Sequence, residues 1–371
     1  MNQGNGADIA STRPMLADMR RQPESLARLL SRADEFRAGG HHNSGRRVAA
    51  FGTGDGWFAA RAAADYAREI LGLRYTQASS LEMLAYVAPK LNGEDLVIAI
   101  SMSGTADRTN EAAAALTGRG SAVLALTNGS GGDLAKIAGS KISLDLTDLA
   151  PFLTGTAKYT ASLMGLMLLL QGASGRADGS LAAVVGTLAD VVARVEAFAK
   201  AEAVSLGARP PTGIRILSSG CNLATADYGT AKFLKLVALP VTADDIEEFA
   251  HRQFWSTPED DLVIYIAANP AAARCASASA AALGSMGMRT IAIDTPSTPV
   301  QTAAARFTLP DVGEALSPLL TAIPVQFLSY FIALALGGNP DVSQDVGDPA
   351  RFRASQMLAR RGELTLTEEL R

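Results

Sequence analysis

The chain has 371 residues, enough for two domains, and is 48% hydrophobic but only 19% charged. Its net charge of −4 argues against general nucleic-acid binding, which requires a basic surface. Two cysteines do not make a disulfide framework and three histidines leave little for a metal site, so we expect neither a metal nor a cofactor.

Two hydrophobicity features bear on localisation. The first residues lack the apolar core of a signal peptide. Residues 315–336 are long and apolar enough to span a bilayer, but they include serine, threonine, proline and glutamine and have no basic flank. We therefore predict that this segment is a buried helix behind a sheet. No membrane partner is expected, and the location is predicted to be cytoplasmic.

Along the chain, residues 1–13 are predicted to be disordered and residues 15–34 helical, with a break at Pro23. Apolar strands then alternate with helices in two successive series. The predicted strands are 48–51, 74–77, 95–101, 122–127, 141–144, 214–218, 239–242, 262–267, 290–294 and 306–309. The predicted helices are 57–71, 81–88, 106–117, 132–138, 156–171, 180–204, 224–236, 245–251, 271–286 and 315–336.

The two series repeat each other. RVAAFGTGDG in the first half corresponds to RILSSGCNLA in the second, and DLVIAISMSG corresponds to DLVIYIAANP. This predicts an α/β fold with two tandem doubly wound, flavodoxin-like parallel sheets and helices on both faces. The predicted divisions are an N-terminal arm with a leading helix (1–40), a first sheet domain (41–175), a connecting helix (176–205), a second sheet domain (206–340) and a tail (341–371).

The most informative stretch is LVIAISMSGTA at residues 96–106, a buried strand followed by small hydroxyl residues, a glycine and a helix. Backbone N–H groups and the positive end of a helix attract an anion, and hydroxyls donate to its oxygens. An ordinary helix cap is the alternative. Residues 267–270 of the repeat lack the hydroxyls, which favours one phosphate site per chain, in the first half. The candidate phosphate ligands are Ser101, Met102, Ser103, Gly104 and Thr105.

A glycine-rich turn follows the first predicted strand, in VAAFGTGDG. Trp57 stands where a dinucleotide fingerprint requires its third glycine, which disfavours a nicotinamide enzyme. The turn either serves only close packing of a helix on a strand, or Thr53 and Gly54 also let a ligand approach the backbone.

Two further segments contain candidate residues. LTGTAK begins a long predicted helix, and its Thr154 and Thr156 either face the same ligand or cap the helix. DDIEEFAH places His251 beside several carboxylates, and a neutral histidine transfers protons near pH 7. A solvated acidic helix with an incidental histidine is the alternative.

Taken together, these motifs resemble the sugar isomerase (SIS) domain family. Specifically, the chain looks like the two-domain isomerase module of glucosamine-6-phosphate synthase and its stand-alone relatives, the phosphosugar isomerases, deaminases and deglycases. The resemblance extends from Met15 to about Leu358 and includes QPESL, FGTG, SMSGT, LTGTAK and EEFAH. It implies that the phosphate loop and the glycine turn hold a sugar phosphate, and that His251 opens the sugar ring. It also implies a homodimer with sites near the subunit interface.

Other family positions differ. The resemblance places the glutamate that moves the proton between C1 and C2 at Lys235, and the family's C-terminal lysine near Ser355. Asn2 stands where the synthase has its N-terminal cysteine, so no glutaminase domain is expected.

We therefore predict a phosphosugar-processing enzyme of the isomerase, deaminase or deglycase type. After His251 opens the ring, a general base would move a proton next to the carbonyl. Glu247 and Glu248 are candidates for this base, and so is Lys235 if it is buried, while a surface Lys235 in a salt bridge is the alternative. The second hypothesis is a regulatory protein that binds a sugar phosphate without catalysis and acts through a protein partner.

Overall fold

The computed structural model describes residues 13–41, 47–150, 153–342 and 349–359. They form two compact units, each built around one parallel sheet. The sheet-A unit contains residues 31–41, 47–147, 161–177 and 349–359, and the sheet-B unit contains the others. The predicted disorder of the N-terminus and most of the predicted tail lie outside the described residues.

Sheet A has the strand order β2-β1-β3-β4-β5, and every neighbouring pair is parallel. Its strands are β1 (Arg47–Gly52), β2 (Arg74–Ser79), β3 (Leu96–Ile100), β4 (Ala122–Thr127) and β5 (Ser140–Ser143). The central strand β3 has the sequence LVIAI and is buried throughout, because helices cover both faces of a parallel sheet. Its carboxyl end, where the candidate phosphate loop begins, lies beside the end of β1, with Gly52 in register with Ile100.

Sheet B repeats this topology with the order β7-β6-β8-β9-β10, again with parallel pairs. Its strands are β6 (Ile214–Ser218), β7 (Val241–Asp245), β8 (Leu262–Ile266), β9 (Arg289–Asp294) and β10 (Ala305–Thr308). In both sheets the first strand lies between the second and the third. The predicted α/β fold with two tandem doubly wound sheets is therefore confirmed.

The helices follow the predicted order. They are α1 (Pro14–Arg20), α2 (Gln22–Ser31), α3 (Ala33–Gly40), α4 (Asp55–Ala62), α5 (Ser80–Glu82), α6 (Asp107–Gly118), α7 (Leu134–Ile137), α8 (Ala157–Ser174), α9 (Ser180–Ala208), α10 (Asn222–Leu236), α11 (Ile246–His251), α12 (Pro270–Ser285), α13 (Pro318–Ala335) and α14 (Pro349–Ala359). The predicted helix 57–71 is shorter than expected: after α4 the chain forms a separate π-helical turn at Tyr66–Ile70. A second π-helical turn, Met83–Val87, follows α5.

Helix α13 is the segment whose composition also fits a membrane span. Among the described residues it is the one helix long and apolar enough to cross a bilayer, but 89% of its apolar window is buried. It packs on α9 within the sheet-B unit. The prediction of a buried core helix is confirmed.

The compact units divide the chain differently from the predicted domains. Residues 13–30, 148–150 and 153–160, outside the predicted second domain, cluster with sheet B. Buried polar contacts explain this grouping: Gln22 donates to the Gln326 side chain at 2.8 Å and accepts from Thr160 at 2.8 Å. Both glutamines are fully buried, and such paired polar groups specify one packing arrangement.

Candidate functional site

The candidate phosphate loop lies in the sheet-A unit between the end of β3 and the start of α6. Gly104 has a positive φ of 66°, which lets the chain reverse direction within the loop. The buried Ser101 Oγ accepts from the Gly104 N–H at 3.2 Å. The Thr105 hydroxyl donates to Ser103 Oγ at 2.9 Å, and these two side chains lie at the accessible side of the loop. The loop therefore gathers three hydroxyls at the carboxyl edge of the sheet.

These hydroxyls do not act as an N-cap. Helix α6 begins at Asp107 with Ala106 in the N-cap position, and no side chain caps it there. In the sheet-B unit the corresponding residue Asn269 is an ordinary N-cap, whose side chain accepts from the Ala271 N–H at 2.8 Å and from the N–H of the next residue. Of these two equivalent helices, only α6 thus combines neighbouring hydroxyl groups with an N-terminus that lacks a side-chain cap.

A second loop, which follows β4, forms backbone hydrogen bonds with the candidate phosphate loop. The Asn128 N–H donates to Met102 O, and the Leu134 N–H donates to Gly104 O, both at 3.0 Å. The two backbones are so close that a Cβ on Gly104 would lie 1.7 Å from Gly131 O. Glycine is thus required at position 104 both by its φ and by this close approach.

Met102 contributes to the loop mainly through its backbone. Its side chain is half-buried, and its Sδ accepts a hydrogen bond from Ser162 Oγ at 3.2 Å. The predicted ligand contact of Met102 is thus restricted to its main chain unless its side chain changes conformation.

Sequence reasoning missed a chain of hydroxyls beside the loop. Thr53 Oγ1 donates to Ser80 Oγ at 2.9 Å, and Ser80 Oγ lies 2.8 Å from Thr109 Oγ1. Ser80 and Thr109 are almost completely buried, whereas Thr53 is exposed. The network joins the glycine turn after β1 to the first turn of α6. In the sequence, the only indication of this network was a hydroxyl residue at the end of β2. The carboxyl ends of parallel strands lie at the same edge of a sheet, so a side chain at one of these ends is near the residues that follow the neighbouring strands.

The glycines of the turn after β1 have different roles. A Cβ on Gly52 or Gly56 would lie 2.7 or 2.6 Å from Ile100 O, so both glycines permit close packing of α4 on the sheet. A Cβ on Gly54 would have no neighbour within 4 Å, and this residue has a φ of 58°. The packing interpretation therefore accounts for Gly52 and Gly56, but not for Gly54.

Thr154 and Thr156 lie at the N-terminal end of α8, within the sheet-B unit. Thr156 is fully buried and donates its hydroxyl to Asp18, and the same carboxylate accepts from the Ala157 N–H at 2.9 Å. The capping group of α8 is therefore the Asp18 carboxylate, and Thr156 donates to it rather than capping the helix with its own hydroxyl. Thr154 lines a cavity of about 170 Å³ that also contains Asp18 and Lys158.

His251 ends the short helix α11, whose N-cap is Asp245. The imidazole is 67% exposed, and its Nε2 lies 3.8 Å from Glu247 Oε1. Glu248 is also exposed and approaches Arg252 at 3.9 Å. Cys275 Sγ donates to Glu247 Oε2 at 3.3 Å; burial and this carboxylate raise the pKa of the thiol to about 11, so it stays protonated at neutral pH.

Lys235 does not meet the condition of burial on which its candidacy as the base depended. Lys235 is exposed in the last turn of α10, where its charge complements the helix dipole. The buried lysine is Lys232, whose Nζ lies 4.6 Å from the centroid of the Tyr228 ring. Tyr228, Lys232 and Leu236 follow one another at four-residue spacing on the buried face of the helix. That spacing was readable in the sequence.

Comparisons with known proteins agree with this architecture. Residues 43–171 match the family described as SIS domain. The chain is 25% identical over 307 residues to glutamine–fructose-6-phosphate aminotransferase [isomerizing] of Gloeobacter violaceus, and 26% identical over 257 residues to the protein of that name from Pyrobaculum aerophilum. These matches cover 80% and 67% of this chain but 50% and 42% of the relatives. The chain thus spans about half the length of the curated relatives it matches.

Solved structures show the same fold. The C-terminal domain of glucosamine-fructose-6-phosphate aminotransferase from Francisella tularensis has a TM-score of 0.71 at 14% identity, covering 89% of this chain and 97% of that one. Tagatose-6-phosphate ketose/aldose isomerase from Escherichia coli has a TM-score of 0.70 at 19% identity, covering 88% and 93%. Glucosamine-6-phosphate deaminase from Thermotoga maritima has a TM-score of 0.69 at 16% identity, covering 89% and 97%.

Proposed function

We propose that the chain, whose residues 43–171 match the SIS domain family, binds a sugar phosphate and processes it as an isomerase, deaminase or deglycase. The observation that carries this proposal is the phosphate loop. Its hydroxyls do not cap α6, although Asn269 caps the equivalent helix of the repeat. Ser103 and Thr105 are available at its accessible side, beside the positive end of a twelve-residue helix.

The surroundings of the loop suit a ligand that carries hydroxyl groups as well as a phosphate. Asn110 Nδ2 donates to Gly104 O at 3.2 Å, but its Oδ1 is buried without a partner among the described residues. An unpaired buried acceptor is costly, and a ligand hydroxyl is a suitable donor for it. The Thr53–Ser80–Thr109 network could reverse its donor direction, which would let Thr53 donate to a phosphate oxygen.

The reaction would start at His251. Ring opening of a cyclic sugar needs a proton transferred between the anomeric hydroxyl and the ring oxygen, which a neutral imidazole performs at pH 7. Glu247 lies one helical turn from His251, close enough to orient the imidazole. Glu247 or Glu248 would then act as the base that moves the proton next to the carbonyl.

The phosphate contact is tested by replacing Ser103 with Ala and Thr105 with Val in one double variant. Each hydrogen bond to a charged group contributes about 1.5–3 kcal/mol, so we expect the loss of two to raise the Kd for a sugar phosphate by about two to four orders of magnitude. Isothermal titration with fructose-6-phosphate, tagatose-6-phosphate and glucosamine-6-phosphate would measure it.

The matched control removes two hydroxyls that serve only their own helices. Thr187 and Ser285 donate to backbone carbonyls at 2.8 and 2.7 Å. A Thr187→Val, Ser285→Ala variant should bind as the wild type does. Equal affinity of the loop variant and this control for a sugar phosphate that the wild type binds would refute the assignment of the loop.

We also propose that the chain forms a homodimer through the surface next to His251. Trp255 is 80% exposed and follows α11 in a turn at Gln253–Ser256. A neighbouring cavity of about 320 Å³ is lined mainly by apolar side chains, among them Phe249, Phe254 and Leu283. An exposed tryptophan beside an apolar cavity is typical of a protein interface.

The dimer is tested by light scattering after size exclusion. We expect the wild-type mass to be twice the 38.5 kDa of one chain, and Trp255→Ser to shift the mass toward a single chain. Tyr86→Ser is the control, because Tyr86 is 67% exposed on the sheet-A unit. A wild-type protein that is monomeric at micromolar concentration, or a Trp255→Ser variant that remains dimeric, would contradict this interface.

A further inference from the structure

A second cavity in the sheet-A unit has an unusual charge. It is about 500 Å³ in volume, and four of its eight lining residues are cations, Arg47, Arg68, Arg74 and Lys90. The other four are Leu73, Tyr75, Thr76 and Val87, so no carboxylate lines it. We call it the edge cavity, because β2 is an edge strand of sheet A. This local excess of positive charge occurs in a chain whose net charge is −4.

The register of the strands places two of these cations side by side. Arg47 and Arg74 begin the parallel strands β1 and β2 and are register partners. Like charges on neighbouring strand positions are destabilising unless something compensates for them. Asp95 lies beside Arg47, but its carboxylate is buried and accepts the backbone N–H groups of Arg47 and Asn92 at 3.3 and 3.0 Å.

Most of these cations have no carboxylate partner. Within the described part of the chain, Arg47, Arg74 and Lys90 form no ion pair, whereas Arg20, Arg21, Arg32, Arg37, Arg108, Arg194, Arg209, Arg215, Arg252 and Arg306 all do. Arg47, Arg74 and Lys90 all line the edge cavity. An anionic ligand would supply the charge that the protein does not.

One cation of the cavity is held in place by neutral groups. Arg68 donates to Tyr75 O at 3.3 and 3.2 Å and to Gln77 Oε1 at 2.6 Å. Tyr75 is itself buried and donates its hydroxyl to Ala60 O at 2.8 Å. These contacts hold the Arg68 guanidinium in one position. Because the acceptors are neutral, they do not compensate its positive charge. A guanidinium held in this way loses less entropy when it binds an anion.

The edge cavity is separate from the phosphate loop. Arg47 and Arg74 stand at the amino ends of their strands, whereas the loop follows the carboxyl end of β3. A six-residue strand spans about 17 Å, so one small ligand does not occupy both places.

We propose that the edge cavity binds a small metabolite through a di- or triphosphate group. Four cations match the charge of such a group, whereas a single phosphate would leave some of them without a partner. A cavity of this size suits a small molecule, and its one aromatic residue is buried, which disfavours the base stacking used for single-stranded nucleic acid. The proposal does not depend on the reaction performed at the phosphate loop.

The test uses inorganic tripolyphosphate in isothermal titration at physiological salt. The background is the Ser103→Ala, Thr105→Val chain, so that the loop does not contribute. We expect Arg47→Ala, Arg74→Ala and Lys90→Ala together to weaken binding at least 30-fold. A control triple variant, Arg119→Ala, Lys141→Ala and Arg274→Ala, removes the same charge elsewhere and should bind normally. Thermal melting verifies that both triple variants fold.

Three results would overturn the proposal. One is unchanged tripolyphosphate affinity in the edge-cavity variant, or equal loss in the control variant. Another is unchanged affinity together with self-association of the edge-cavity variant, which would show that the cations only protect the edge strand from pairing. The third is tighter binding of a 20-base-pair DNA duplex than of tripolyphosphate, lost in the same variant, which would assign the cations to nucleic acid.

Discussion

Gly104→Ala is expected to lower the free energy of unfolding by about 3 kcal/mol and to abolish sugar-phosphate binding. The added Cβ would lie 1.7 Å from Gly131 O and 2.3 Å from Gly131 C, which are backbone atoms that cannot rotate away. The φ of 66° adds strain for any residue with a Cβ. One of the two loops must therefore move, which displaces Ser103 and Thr105 from their positions. Urea unfolding and titration with the sugar phosphate bound by the wild type would measure the two effects.

Gly129→Ala separates the two causes. Gly129 has a similar φ of 62°, but a Cβ there would meet nothing within 4 Å. We expect a loss of only about 1 kcal/mol, from backbone strain alone, and normal ligand binding. If the two alanine variants were equally stable, the close packing of the two loops would not be the reason for glycine at position 104.

His251→Ala is expected to lower kcat/KM for the sugar phosphate that the wild type turns over by about 10²–10⁴-fold, the usual contribution of a general acid–base group. Stability should change by less than about 0.5 kcal/mol, because the imidazole is 67% exposed. Glu247→Gln should lower activity to a similar extent if Glu247 is the base, and less if Glu248 is the base and Glu247 only orients the imidazole. Turnover would be measured with a panel of ketose, aldose and amino-sugar phosphates and fructosyl amino acids.

The matched control is His41→Ala, which removes another exposed histidine. Turnover that survives in His251→Ala would exclude the ring-opening role. A different result would favour the regulatory alternative: tight binding of the sugar phosphate by the wild type, with no exchange of the proton at C2 in deuterated water. Rapid exchange would exclude that alternative.

The architecture was largely predictable, because it depends on local patterns. Each central strand is a short run of consecutive apolar residues, LVIAI in β3 and LVIYI in β8, and such runs indicate strands covered on both faces. The internal repeat then indicated two sheets of one topology. The helix at 57–71 was less predictable, since nothing in its alanine-rich sequence marks where α4 ends before the π-helical turn.

The candidate site was predictable only in part. The hydroxyl cluster at residues 101–105 and its absence from residues 267–270 of the repeat were both visible in the sequence, because each is a contiguous segment and the two can be compared directly. It did not show that Ser80 and Thr109 join Thr53, because these residues follow different strands and meet only when the sheet forms. Likewise, only folding brings Asp18 to Thr156, so that the threonine hydroxyl donates to a carboxylate that is distant along the chain.

The sequence by itself therefore determined the two α/β sheets and the position of the candidate phosphate loop, through hydrophobic periodicity and a local motif. The tertiary structure decided which side chains are available to act. It buried Lys232 and exposed Lys235, because burial depends on which face of α10 meets the sheet. It also aligned Arg47 with Arg74, because the register between parallel strands joins residues that are distant along the chain.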